Sequence, residues 1–217
     1  MDRISVICAH IPGCRVFADI GCDHGYCTAY VLEKGLCERA YVSDISAACL
    51  KKAETLLAAE IAAGRCVPVC ADGLDGVQDA DCVLIAGMGG EEIVRILSRA
   101  PLPERFVLQP MHNVEKVRRH LLARGAHIEE DFTFEDGKFY DLIVGRAAGG
   151  DAYSDFEYRY GRDNLKSPSA AFLRKLRKEA DVLREALAAD VKREQREALL
   201  ERLHESEAII DAIEERL

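Results

Sequence analysis

Seven short β-branched or apolar runs constrain this chain more than any other feature. They fall at residues 15–20, 40–44, 66–70, 82–86, 105–109, 127–134 and 139–144. Between the first five lie Ala- and Leu-rich stretches, such as 46–63 and 91–100, long enough to be crossover helices. Strands alternating with helices predict right-handed crossovers and a parallel sheet. The last two runs are separated only by Glu135-Asp136-Gly137-Lys138, a turn signal that predicts a β-hairpin. Residues 1–150 are therefore expected to form an α/β domain, mostly parallel and closed by an antiparallel C-terminal hairpin. Sheets that bind NAD carry no such required hairpin.

The character changes after Gly149-Gly150. From Ala171 onward the chain is rich in Ala, Leu, Glu, Lys and Arg, with neither Gly nor Pro. Leu203, Ser206, Ile210, Ile213 and Leu217 follow 3-4-3-4 spacing, and Phe172, Leu176, Leu183 and Leu187 make a similar stripe. One continuous helix would run about 70 Å at ~1.5 Å per residue. A break near 188–194 instead predicts two antiparallel helices zipped by their stripes. Residues 151–217 thus read as a helical, antiparallel coiled-coil extension.

Composition narrows the classes further. No stretch approaches the roughly 20 apolar residues of a membrane span, and Met1-Asp2-Arg3-Ile4-Ser5-Val6 carries no long apolar run, so a cytoplasmic protein is expected. All nine cysteines lie at or before Cys82, several inside apolar runs, and no CxxC pair exists. They read as small buried hydrophobes in a reducing compartment, with no metal site. A net charge of −9 argues against non-specific coating of nucleic acid. Local basic surfaces remain. Residues 159–178 hold seven basic side chains (Arg159, Arg162, Lys166, Arg174, Lys175, Arg177, Lys178) against one acidic, Asp163, and Lys116, Arg118, Arg119 and Arg124 form a second cluster around His120. By charge alone, solvated helix faces balanced by nearby Glu account for both.

The chemistry-bearing residues sit where strands end. The first run leads into Asp19-Ile20-Gly21-Cys22-Asp23-His24-Gly25-Tyr26. Gly21 lets the chain turn sharply and approach a ligand, and the following helix points its N-terminal N–H groups at the crevice where open α/β sheets bind ligands. This is not the GxGxxG of dinucleotide binders. The second run ends in Ser43-Asp44, where an acid can accept from both ribose hydroxyls of an adenosyl group; a helix cap is the alternative. The third ends in Asp72-Gly73-Leu74, where Asp72 suits the adenine amine or simply a turn. The fourth ends in Ile85-Ala86-Gly87-Met88-Gly89-Gly90, small residues that leave space beside a methyl donor. Four consecutive strand ends each carry a feature that an adenosyl cofactor can use.

Together with Leu108-Gln109-Pro110, Glu135-Asp136-Gly137-Lys138-Phe139-Tyr140 and Tyr158-Arg159-Tyr160-Gly161, these segments resemble the bacterial tRNA (adenine-22-N1)-methyltransferases, from about residue 18 to the C-terminus. The sequence departs from that family at Gly25, commonly Ala, and at Met111-His112, where many members have Asn. The resemblance implies a class I methyltransferase, Rossmann-like sheet with S-adenosyl-L-methionine as cofactor and tRNA as substrate; the oligomeric state is left open by the sequence, with a monomer favoured. It implies cofactor contacts from Asp19, Gly21, Cys22, Asp44, Ile45, Asp72, Gly73, Gly87 and Met88. Asp23, His24 and Tyr26 become candidates for holding the base or taking its proton, against capping, structural and core-packing roles. RNA contacts are expected from Lys116, Arg118, Arg119, Arg124, Arg159, Arg162, Lys166, Arg174 and Lys175. The loop Ala86-Gly87-Met88-Gly89 is unlike the aromatic Pro-Pro loop of exocyclic-amine methylation and so favours a ring nitrogen. The competing readings are a methyltransferase for a protein or small molecule and a non-catalytic RNA-binding module.

Overall fold

All seven expected strands form, in one sheet ordered β3-β2-β1-β4-β5-β7-β6. In the computed structural model, which describes residues 2–189 and 192–215, they are β1 (Val16–Ile20), β2 (Arg39–Asp44), β3 (Cys66–Cys70), β4 (Cys82–Met88), β5 (Arg105–Pro110), β6 (His127–Asp136) and β7 (Lys138–Arg146). The first five are parallel; β7 runs antiparallel between β5 and β6. The order reverses between β1 and β4, the switch point where a crevice opens above the strand ends.

Every residue of β1 is buried, because helices cover both faces. One face packs Phe17, Leu84 and Val107 under α1 (Arg3–Ala9), α2 (Tyr26–Glu33) and α3 (Ala47–Leu56). The other packs Ala18, Ile85 and Phe106 under α5 (Gly90–Ser98) and α6 (Val114–Ala123). Stretch 46–63 forms two helices rather than one. Leu57 ends α3 and starts α4 (Ala58–Ala62), with its side chain buried in the core. All nine cysteines are free thiols, and Cys8, Cys22, Cys27, Cys37, Cys66 and Cys82 are buried.

The C-terminal helices are α7 (Asp155–Tyr160), α8 (Arg162–Lys166), α9 (Ala170–Ala188) and α10 (Arg193–Glu214). Of these, α8 and α9 dock on β6, the sheet's edge, and α10 packs on α9. A free edge leaves N–H groups without partners; here Ile128, Asp131 and Thr133 donate to the side chains of Asp151, Asp163 and Asn164 at 2.7, 2.9 and 2.8 Å. α9 and α10 run antiparallel, as the Arg177–Glu214 and Arg184–Glu207 ion pairs at 2.6 and 2.8 Å require. Leu176, Leu183, Leu187, Leu203, Ile210 and Ile213 meet between them. The expected break falls between Ala188 and Arg193. Residues 190 and 191 and the stripe's Leu217 lie outside the described residues.

Arg118 corrects one expectation. It is 1% exposed, with Nε and Nη2 on the Asp131 carboxylate at 2.8–3.0 Å and Nη1 on the Tyr158 and Arg159 carbonyls. Burial works against its charge, but Asp131 and Asp141 more than offset this. A guanidinium so enclosed offers nothing to an RNA phosphate; it ties α6 to the edge strand and to the start of the helical extension.

Candidate active site

Two adjoining cavities lie over the strand ends, sharing Gly21, Ala86 and Gly87. One, of about 440 Å³, is lined by Asp19, Cys22, Asp23, His24 and Tyr26 among others. The second, of about 190 Å³, is lined by Asp44, Ile45, Asp72, Gly73 and Met88. The twelve residues expected for cofactor and base thus come together, drawn from four strand ends.

The turn after β1 explains the first cavity. Gly21 has φ +72°, a left-handed backbone that favours glycine, and its N–H donates to the Ser43 carbonyl at 2.8 Å. A Cβ there would stand 2.1 Å from the Met88 methyl, so this side chain occupies the space above the turn. Asp23 also adopts positive φ, +43°, a conformation tolerated by Asp but costing on the order of 1 kcal/mol. Its N–H donates to Asp44 Oδ2 at 3.3 Å, while Asp44 Oδ1 accepts from Ser46 N–H at 2.8 Å. Ser46 itself caps α3, so Asp44 is not that helix's cap.

Asp19 is 5% exposed and accepts from the Thr28 hydroxyl at 3.0 Å. Burial pushes its carboxyl up to about 6, against the pull of that hydrogen bond. Burial likewise pushes the Cys22 thiol up. The Lys52 ammonium, 2.9 Å away, holds the Asp23 carboxyl below the ordinary range, and His24 Nδ1 at 2.8 Å adds to it. Tyr26 is exposed, not a core residue, and lies parallel to the His24 ring at 5.4 Å. Asp72 is committed elsewhere: Arg95, and then Arg99, hold its carboxyl at about 2 through contacts of 2.7–2.9 Å. An adenine amine would share it with them. Ile45 stands exposed beside it, an apolar platform.

A third cavity, about 640 Å³, lies beside Met111, which also borders the Asp23 cavity. Lys116, Arg119, Arg159 and Lys175 line it, each with an acidic partner: Glu91, Glu115 and Asp155, Glu205, and Asp141. The remaining expected RNA contacts lie outside it. Arg124 spends its Nη groups on the Leu97 and Ala100 carbonyls, Arg162 reaches the Ile128 carbonyl, and Arg174 pairs with Glu135. Lys166 is exposed on α8.

Sequence reasoning missed Arg3 and His112, which line these cavities, and Lys52, which pairs with Asp23. Arg3 was findable, since Asp2 is a helix cap and Ile4, Ile7, Cys8 and Ile11 share one helical face. Nothing near Lys52 marks it as a partner of Asp23. Among the described residues no group of three or more His, Cys, Asp or Glu could hold a metal, and no helix is long and apolar enough to cross a membrane.

Known proteins decide the family. The profile of the methyltransferase domain matches residues 1–143. Over 160 residues the chain is 31% identical to the tRNA (adenine(22)-N(1))-methyltransferase of Bacillus subtilis strain 168, covering 70% of this chain and 67% of that protein. The chain belongs to the tRNA (adenine(22)-N(1))-methyltransferase family. The solved structure of the B. subtilis m1A22 tRNA methyltransferase TrmK superposes on this methyltransferase with a TM-score of 0.83 at 25% identity, over 96% of this chain and 97% of that one. A Streptococcus pneumoniae protein solved in complex with S-adenosyl-L-methionine gives 0.87 at 25% identity, over 97% and 100%. The likeness to these structures extends through the C-terminal helices.

Proposed function

We propose that this chain transfers a methyl group from S-adenosyl-L-methionine to N1 of adenine 22 in tRNA. One observation carries the reading: the Asp19–Gly21–Asp44–Gly87 strand-end trough opens at Asp23, His24 and Tyr26 and continues, past Met111, into a cleft lined by Lys116, Arg119, Arg159 and Lys175.

The residues present fit the cofactor. Gly21 and Gly87 carry no Cβ, which lets the Met88 methyl and the Arg3 guanidinium lie against the trough, and Asp44 keeps lone pairs free for a ribose diol. Cys22, Gly73 and Met88 line the same trough, Ile45 lies under the base, and Asp72 takes its amine alongside Arg95. When bound, S-adenosyl-L-methionine supplies an electrophilic methyl on a sulfonium. The chain must hold the N1 lone pair of the target adenine in line with that methyl, which can lower the barrier by several kcal/mol. Tyr26, backed by the His24 ring, offers a flat exposed surface for the base. Asp23, held ionised by Lys52, accepts from the exocyclic amine, whose proton becomes labile once N1 is methylated.

A base inside a folded tRNA leaves its stack at a cost of a few kcal/mol. Phosphate contacts from Lys116, Arg119, Arg159 and Lys175 offset it, with Arg124, Arg162, Lys166 and Arg174 at the periphery. Residues 1–150 act as the methyl-transfer domain and 151–217 as an RNA-gripping, coiled-coil arm. The free cysteines suit a reducing, cytoplasmic compartment. Nuclease digestion of a tRNA transcript incubated with the chain and labelled cofactor tests the chemistry. Label is expected in 1-methyladenosine; label in N6-methyladenosine would refute the assignment.

A further inference from the structure

Arg3, at the start of α1, reaches the larger strand-end cavity. Asp2 caps the helix, accepting from Ser5 N–H at 3.0 Å. The tip of the β6–β7 hairpin holds Arg3 twice: its backbone N–H donates to Asp136 Oδ2 at 2.8 Å, and its guanidinium carbon lies 5.5 Å from the centre of the Tyr140 ring. The guanidinium extends to the end of β4, where a Cβ on Gly87 would stand 2.8 Å from Nη2. Gly87 therefore makes room for Arg3.

This guanidinium lacks an anion. Its Nε is buried with no hydrogen-bond acceptor, and among the described residues Arg3 forms no ion pair. Leaving such a donor unpaired is costly, and the planar fork matches a carboxylate in two-point contact. The same cavity holds Asp19, a buried carboxyl that pairs with no cation among the described residues. A single ligand end with both charges, an α-amino acid zwitterion, satisfies the two together. A phosphate would answer Arg3 but would be repelled by Asp19.

We infer that Arg3, positioned by Asp136 and Tyr140, binds the carboxylate at the amino-acid end of the cofactor. This rests on the methyltransferase reading above. The Glu135–Tyr140 segment then serves to present Arg3 to the site from the far end of the chain.

Calorimetric titration tests it with two ligands, S-adenosylhomocysteine and its decarboxylated analogue, 5′-deoxy-5′-(3-aminopropylthio)adenosine. The wild-type chain should prefer the carboxylate-bearing ligand by about tenfold or more, and Arg3→Met should bind both about as the wild type binds the analogue. Tyr140→Leu, which keeps the charge but removes the ring beside it, should narrow the preference and serves if Arg3→Met does not fold. An undiminished preference in either folded variant overturns the inference. So does a wild type that binds both ligands equally, or an Arg3→Met chain that loses only tRNA affinity, which would assign Arg3 to a phosphate. A wild type that binds neither ligand overturns the methyltransferase reading itself.

Discussion

The backbone N–H of Asp23 donates to the Asp44 carboxylate at 3.3 Å, latching the turn after β1 to the end of β2. On the proposed assignment, the residue for the base and the residue for the ribose are thereby set by one contact. Asp44→Ala removes both the ribose acceptor and the latch. Affinity for S-adenosylhomocysteine should fall about ten- to a hundredfold by titration, the range expected when a charge-assisted hydrogen bond is lost.

Asp23→Asn separates holding the cofactor from holding the base. Because Lys52 keeps the Asp23 carboxyl ionised, the amide removes a charged acceptor with little change of shape. kcat for methyl transfer should drop by about a hundredfold, with S-adenosylhomocysteine affinity changed by less than about threefold. A comparable loss of cofactor affinity would place Asp23 in the cofactor site alone.

Asp19 predicts a pH dependence. Burial raises its carboxyl from 3.8 to about 6, so between those values the folded chain holds a proton that the unfolded chain has released. Stability from this group is greatest at low pH and is lost as pH rises through the window, by on the order of 3 kcal/mol. Asp19→Asn should flatten that slope in denaturation measured from pH 4 to 7. Ligand binding has the opposite sign: affinity for the ammonium-bearing S-adenosylhomocysteine should weaken as pH falls below 6 in the wild type and not in Asp19→Asn.

Much of this architecture is legible from sequence because strand runs and glycine turns are local signals. The seven runs locate every strand, and the strand-end acids and glycines locate the trough. What stayed hidden depends on distant partners. Lys116, Arg118 and Arg119 look equivalent in sequence, yet successive residues on a helix turn about 100° apart and only Arg118 faces inward, toward Asp131 on β6. Asp72 gives no hint of Arg95 and Arg99, which lie one helix later. Arg3 meets Asp136 across 133 residues.

The buried Arg118 should therefore behave as a structural residue. Arg118→Leu leaves Asp131 buried without its cation, a loss of about 3–5 kcal/mol. The melting temperature should fall by on the order of 10 °C for a chain of this size. A variant of wild-type stability with weakened tRNA binding would restore Arg118 to the RNA surface.

Charge reversal distinguishes the cleft from the far side of the extension. Lys116→Glu combined with Arg159→Glu should weaken tRNA binding at least about tenfold and flatten its salt dependence, leaving S-adenosylhomocysteine binding unchanged. Arg184→Glu, where Arg184 pairs with Asp181 and Glu207 on α9 and α10, should leave tRNA affinity within about twofold.

The central claim is tested most directly by methyl transfer to two unmodified tRNA transcripts that differ only at position 22, one with A and one with G. The trough opening at Asp23, His24 and Tyr26 predicts label in the A22 transcript and none in the G22 transcript. Equal labelling of both would contradict the site assignment, and labelling of neither would contradict a tRNA methyltransferase.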